Sequence, residues 1–378
     1  MTPELQQLII DRLFANLAQG LPDLAADAQS ISTESHISPG RFDQEQRHVF
    51  RHVPIIIGTA DAVAIPGDFF TANDYHVPIL VTRADDGTLH AFLNACTHRG
   101  ARLVGEAGGH GQRVFACPYH GWVFGNDGQL RHITQAEGFP NTAKADRGLV
   151  SLPVAERFGL IWTILQPGAE LDLDTYLAGL APELAGWGFD GYAAYRPHDW
   201  TCRANWKTLV EGGLETYHFR NAHDATFNAI QAGEATVIDR FGPHARMVVP
   251  LRTLAVLAGA ERRRWRLRPH ASTTYFLFPN TFWSVQQDHG VLLQVFPEAA
   301  GASRARLSLL IPSGTAHMSS HWDVFRDWNV AVLGEDFALG EQVGDTLRAG
   351  GLDRLTFGRN EQLLSTFHQT LTEMVGAP

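Results

Sequence analysis

The sequence predicts an α+β protein of two domains, the first all-β and the second a sheet covered by helices. Three observations carry this. The chain has 378 residues, more than one compact unit ordinarily holds. From about Phe50 to Leu165 it runs in short apolar or alternating stretches, VPIIIGTA, HVPILVT, LHAFLNA and GLIWTIL, divided by Gly, Asp and Pro turns. Further on, the strand-like runs TTYFLFP, FWSVQQD, VLLQVFP and ARLSLLIP, between residues 273 and 312, lead into one long helical pattern from Trp322 to about Leu347.

Taken in order, Leu5, Ile9, Leu13 and Leu17 recur every four residues and stop at Gly20 and Pro22, which predicts an N-terminal helical arm, residues 1–45, packing with the second domain. The all-β domain is placed at 46–165. The stretch QPGAELDLD, residues 166–174, is the expected boundary into a second domain covering 166–378, which begins with a helical segment around 203–223. Repeats and low-complexity tracts are absent.

Composition narrows the function classes. With 44% hydrophobic and 19% charged residues and no run of about 18 apolar residues, no membrane anchor is expected. Glu4, Asp11 and Arg12 interrupt the apolar residues of the first helix, so it does not read as a secretion signal, and a cytoplasmic location is expected. A net charge of -10 argues against nucleic acid as a partner, because phosphate binding relies on Lys and Arg. The three cysteines, Cys96, Cys117 and Cys202, fit a reducing compartment better than a disulfide scaffold. Cys202 is expected to be a buried thiol without a catalytic role.

The most informative stretch, NACTHRGARLVGEAGGHGQRVFACPYHGWVF, spans residues 94–124. It holds Cys96-x-His98 and Cys117-x-x-His120, 18 residues apart. Two thiolates and two imidazoles can serve zinc or an iron-sulfur centre. A zinc finger pairs Cys with Cys and His with His, whereas here each loop carries one of each. That interleaving is what a [2Fe-2S] cluster needs, with Cys96 and Cys117 on the inner iron and His98 and His120 on the outer. Gly100 and Gly121 allow the backbone close to the sulfurs. His110, in the GEAGGHGQ insertion, is expected to be a solvated loop residue.

A second constellation lies in NWKTLVEGGLETYHFRNAH, residues 205–223. His218 and His223, with one carboxylate, would form a 2-His-1-carboxylate facial triad that leaves positions on Fe(II) for O2 and substrate. Gly212 and Gly213 are unfavourable inside a helix and point to a bend or a close approach. Asp336 stands on the face of the long helix that carries Leu333, Gly340, Val343 and Leu347, so it should point inward. Glu335, Glu341 and Asp345 are alternatives, each expected to be a solvated acid.

With its HRG and CPYHGW neighbourhoods the cluster stretch resembles the Rieske signature, and NWK…YH….H resembles the catalytic iron segment of ring-hydroxylating oxygenase large subunits. The resemblance covers nearly the whole chain. It implies a Rieske [2Fe-2S] domain and a helix-grip (START-like) catalytic domain with mononuclear Fe(II), whose third ligand on the C-terminal helix falls at Asp336. It also implies rings of three subunits, with the electron crossing a subunit interface. Glu215, three residues before His218, matches the family's bridging acid and so takes a catalytic role in that transfer; a glutamate there resembles the branch acting on choline, betaine and carnitine. Electrons would come from NAD(P)H through a separate flavin reductase or ferredoxin, since no G-x-G-x-x-G follows a strand here.

The implied activity is hydroxylation or oxidative demethylation of a small aromatic or quaternary ammonium compound. Cis-dihydroxylation of an aromatic ring stays open beside it, as does electron transfer without oxygenase activity. Phe227, Met247, Tyr275, Phe282, Trp283 and Gln286 are the candidate pocket residues, chosen because an aromatic slot and a trimethylammonium cage use the same side chains.

Overall fold

In the computed structural model, which describes residues 1–224 and 226–377, the chain divides into two units, one of residues 50–173 with 190–193 and one of the remainder. The smaller unit is all-β. Its five-stranded sheet runs in the order Ser151–Leu152, Leu89–Leu93, Ile79–Arg83, Phe69–Ala72, Gly108–Gly109, and two three-stranded sheets accompany it. Short strands fit this sequence because β-branched and aromatic residues come in bursts between Gly and Asp turns. One core, including Phe69, Leu80, Phe92, Trp122 and Phe124, also contains Cys96 and Cys117.

The larger unit is built on seven strands: β1 (Tyr192–Cys202), β2 (Val237–Phe241), β3 (His244–Pro250), β4 (Ala271–Leu277), β5 (Thr281–Val285), β6 (Gly290–Ala299) and β7 (Ala302–Pro312). Their order across the sheet is β1-β7-β6-β5-β4-β3-β2, and every pairing from β2 to β7 is antiparallel. The fold is thus α+β, as the sequence predicts. An arm helix, α1 (Pro3–Gln19), is capped by Thr2 and ended by Gly20 in the left-handed region. It buries Ile9, Ile10 and Leu13 against Val237, Val248, Leu254 and Leu267.

The expected single helix over 203–223 is two. α2 (Trp206–Gly213), capped by Asn205, stops at the glycine pair, and one further turn, α3 (Phe219–Ala222), follows it. A Cβ on Gly213 would sit 2.6 Å from the Phe282 ring, so the expected close approach is real there, whereas Gly212 faces open space. The long helix is α4 (Ser319–Arg348), followed by α5 (Gln362–Val375). α4 lies tightly on α2 because Gly340 and Gly344 leave it room: a Cβ would meet Leu209 at 2.9 Å and the Arg203 carbonyl at 2.8 Å, respectively. Its buried stripe runs through Phe337, Gly340, Gly344 and Leu347, to one side of Val343, which is 40% exposed against the sequence reading. Among the described residues no helix is long and apolar enough to cross a membrane.

α2 is also held by charge. Lys207 and Glu45, both fully buried, form an ion pair of 2.7 Å, and Glu45 further accepts from Arg41 Nε at 3.1 Å and Trp206 Nε1 at 2.9 Å. Removing one partner of such a pair strands the other charge without solvent. Glu45→Ala is therefore expected to destabilise the unit by about 3–5 kcal/mol, read as a lowered denaturation midpoint.

A second stability prediction concerns acid. His244 is buried, donates from Nε2 to the Tyr176 carbonyl at 2.7 Å and accepts the Phe278 amide at Nδ1 at 3.1 Å, so only the neutral ring satisfies both. Burial pushes its pKa from 6.5 down to about 4, and the Tyr176 carbonyl offsets this only partly. A depressed histidine stabilises the fold above its unfolded pKa, and that contribution is lost as pH falls from 6.5 towards 4, up to ~3 kcal/mol in all. Denaturation midpoints between pH 7 and 4 should fall more steeply in the native protein than in His244→Gln; parallel slopes would refute the assignment.

Candidate iron-sulfur and mononuclear metal centres

The two loops of the smaller unit share one backbone plan. In the first, the Gly100 amide bonds the Cys96 carbonyl at 2.8 Å and the Cys96 amide bonds the Ala101 carbonyl at 2.8 Å. In the second, Gly121 bonds Cys117 at 3.0 Å and Cys117 bonds Trp122 at 2.7 Å. Gly100 and Gly121 both sit at positive φ, 75° and 70°, which is why glycine closes each turn. Histidine occupies the second position after the cysteine in one loop and the third in the other, and the two rings meet with centroids 4.6 Å apart.

Both cysteines are buried and both histidines are half-buried, and His98 stacks on Trp122 at 4.8 Å. Burial, then His120 and Arg99, lower the His98 pKa, and its Nδ1 is shielded without a hydrogen-bond partner. Among the described residues no three of these four side chains bring ligand atoms within 4.8 Å of one another. A tetrahedral zinc would need all four within about 3.8 Å, so the set fits a two-iron cluster, whose ends are further apart. His110 is an exposed loop residue that bonds Asp68 at 2.8 Å.

In the larger unit, His218 and His223 flank the single turn α3, and Asp336 on α4 faces both. The ligand atoms of all three lie within 4.8 Å of one another, with Asp336 Oδ1 3.3 Å from His218 Nε2 and 2.9 Å from His223 Nε2. Neither pair has hydrogen-bond geometry: both Nε2 atoms are buried and unpartnered. The other nitrogen of each ring is taken. His218 Nδ1 donates to Glu215, and His223 Nδ1 donates to Glu335 Oε2 at 2.7 Å. An ionised carboxylate only accepts, so each Nδ1 carries a proton, and when the rings are neutral both Nε2 lone pairs converge with Asp336 on one point.

Three carboxylates around two imidazoles leave the site short of positive charge. Burial opposes an imidazolium, yet Asp336 and Glu215 outweigh it and raise His218 to about 10. A divalent cation would supply that charge and leave both rings neutral. The buried trio His36, Glu211 and His368 makes a useful contrast: both Nε2 atoms donate to one Glu211 oxygen, at 2.6 and 2.5 Å, so they are taken up inside the trio, and the unpartnered nitrogen there is His36 Nδ1.

Glu335, read from the sequence as a solvated acid, instead orients His223 and also accepts from Thr226 Oγ1 at 3.0 Å. Only its position next to Asp336 could have signalled this. Glu341 bonds the Arg203 amide and Asp345 pairs with Arg348, so both are structural. Cys202 is buried, its thiol pushed up by burial and Glu341 to about 11.

A cavity of about 140 Å³ opens beside His223 and Asp336, lined in part by Phe227, Met247, Phe282 and Gln286. Tyr275 and Trp283 are not in it. Strand alternation sends them through the sheet: the Tyr275 hydroxyl donates to Glu183 and accepts from Trp187, and Trp283 packs on Phe189. Their neighbours Thr274 and Ser284 take the cavity face, and Phe219 and Trp328, absent from the sequence list, complete its aromatic wall.

Such a pairing of units is the architecture of Rieske oxygenase large subunits. Family comparison agrees: "Ring hydroxylating alpha subunit (catalytic domain)" matches residues 187–377 and "Rieske [2Fe-2S] domain" matches residues 54–145. The chain belongs to the ring-hydroxylating alpha-subunit family, and its two domains imply a [2Fe-2S] cluster and a mononuclear iron.

Among relatives, the glycine betaine monooxygenase oxygenase subunit of Chromohalobacter salexigens is 33% identical over 58% of this chain and 49% of that protein. The anthranilate 1,2-dioxygenase large subunit of Acinetobacter baylyi is 30% identical over 57% and 47%. The chain thus spans about half the length of these curated relatives. A solved quaternary ammonium Rieske monooxygenase, described for carnitine oxidation by gut microbiota and inter-subunit electron transfer, superposes with a TM-score of 0.80 at 20% identity, over 95% of this chain and 97% of that one. At that identity the likeness speaks for the fold.

Proposed function

We propose that this chain is the oxygen-activating subunit of a Rieske oxygenase that hydroxylates or oxidatively demethylates a small aromatic or quaternary ammonium compound. The observation that carries this is the convergence of two unpartnered imidazole nitrogens and one carboxylate at the wall of a cavity. In this reading His218, His223 and Asp336 hold the iron, and Cys96, His98, Cys117 and His120 hold the cluster. When bound, the iron supplies O2 activation with electrons passed from the cluster.

The chain's own residues do the rest. Glu215 and Glu335 hold the two imidazoles by their Nδ1 protons, which fixes ring orientation. Phe219, Phe227, Phe282 and Trp328 exclude water and offer π faces. The polar cavity residues are already paired, Thr274 with Ser284 at 2.7 Å and Gln286 with Ser272 at 2.9 Å. Few groups are therefore left asking for a hydrogen bond, which suits an aromatic ring or a methylated ammonium group. Electrons would arrive from NAD(P)H through a separate reductase or ferredoxin, and in a trimer they would cross between subunits.

The test is substrate-stimulated oxygen uptake by purified protein with a surrogate NADH-reductase system, screened against aromatic acids, aryl methyl ethers and trimethylammonium compounds. A product heavier by one or two oxygens, or lacking a methyl group, supports the reading. Unstimulated uptake and no product from any class, with both iron centres loaded, counts against it.

A further inference from the structure

A second cavity adjoins the one beside the triad. Phe227, Ser272, Gln286, Trp328 and Asn329 also line this outer cavity of about 330 Å³, so the two share a wall. The outer one differs in chemistry: its lining includes Arg268, whereas the inner cavity has no basic side chain other than His223.

Arg268 is held in place but not used up. Its Nε donates to the Gln286 carbonyl at 2.7 Å, and the guanidinium lies 5.8 Å from the Trp187 ring centroid. Nη2 is shielded from solvent and has no hydrogen-bond partner. Among the described residues no carboxylate pairs with it; the nearby Asp288 is engaged by His289 at 2.8 Å and His321 at 2.8 Å. A partly buried guanidinium with N–H groups left over and no carboxylate partner attracts a carboxylate, which can accept from them.

We propose that the substrate is a small organic acid, its carboxylate held by Arg268 in the outer cavity and its reacting end in the aromatic inner cavity beside the triad. This rests on the oxygenase reading of the inner cavity and deepens it: Arg268 sets which molecules enter and which end faces the metal.

The test uses the iron-loaded protein and matched pairs that differ only in carboxylate against alcohol: glycine betaine and choline, benzoate and benzyl alcohol, cinnamate and cinnamyl alcohol. Dissociation constants are measured by calorimetry. In at least one pair the acid should bind about ten-fold tighter or better, the size of one charge-assisted contact. Arg268→Gln should bring that ratio close to one, and Arg268→Lys, which keeps the charge but loses the fork, should leave an intermediate ratio. The proposal is overturned if no acid binds tighter than its alcohol, or if the preference survives Arg268→Gln. Oxygen uptake separates the two levels: if only the carboxylate assignment fails, neutral compounds stimulate uptake as well as acids do, and if the oxygenase reading fails, none does.

Discussion

Asp336→Ala is expected to remove one iron per chain and to lower oxygen-dependent product formation by about a thousand-fold or more, the effect of losing several kcal/mol of metal-borne stabilisation. The visible absorption of the cluster should not change. Among the described residues Asp336 is the carboxylate that approaches both free Nε2 atoms, at 3.3 and 2.9 Å, whereas Glu215 and Glu335 are committed to the Nδ1 side of the rings. Without it, two neutral imidazoles remain, which is a poor set for a hard divalent iron. Iron analysis, the cluster spectrum and product yield on one sample decide the matter. Full iron content with normal turnover would move the third ligand elsewhere, with Glu335 the nearest candidate. Glu335→Gln should act more mildly, because it loosens His223 without removing a donor atom.

What could be read in advance follows from what is local in the chain. The cluster loops are two short segments whose residue types carry the whole argument, and Gly100 and Gly121 advertise the turns. The strands between 271 and 312 were legible because apolar and β-branched residues crowd there, whereas β1 was not: YRPHDWTC offers no clean alternation, and half of it faces solvent. The break between α2 and α3 was signalled by Gly212 and Gly213 but not located, since only contact with Phe282 shows which glycine is constrained.

The remaining misses are choices of face and of distant partner. Listing Tyr275 and Trp283 with Phe282 treated adjacent strand residues as neighbours, although a period of two sends them to opposite sides of the sheet. Thr274 and Ser284 occupy the cavity face in their place. Val343 lies seven residues after Asp336 and shares its stripe, but α2 packs nearer Gly340 and Gly344, so Val343 is left at the edge. Glu335 serves His223 across 112 residues of sequence and Arg268 faces the cavity from a loop, and neither fact has a local signature.

Glu215→Gln is the variant that separates positioning a ligand from passing an electron. Glu215 accepts from His218 Nδ1 and from the amides of Tyr217 and His218, so alanine would loosen the turn that carries the ligand. Glutamine keeps one acceptor oxygen of the same reach for His218 Nδ1, and loses the charge together with the second oxygen, to which the Tyr217 and His218 amides donate. Both iron centres should therefore stay loaded. What should change is the rate at which the reduced cluster is reoxidised in a single turnover with substrate and O2, slower by about 10- to 100-fold, the range in which orienting carboxylates act. Glu215→Asp, which keeps the charge at shorter reach, should recover part of that rate. A purely structural role predicts the opposite pattern, iron lost from the Gln variant and a normal rate in whatever fraction stays loaded. An unchanged rate with full iron content would mean that the electron reaches His218 by a route that does not use this carboxylate.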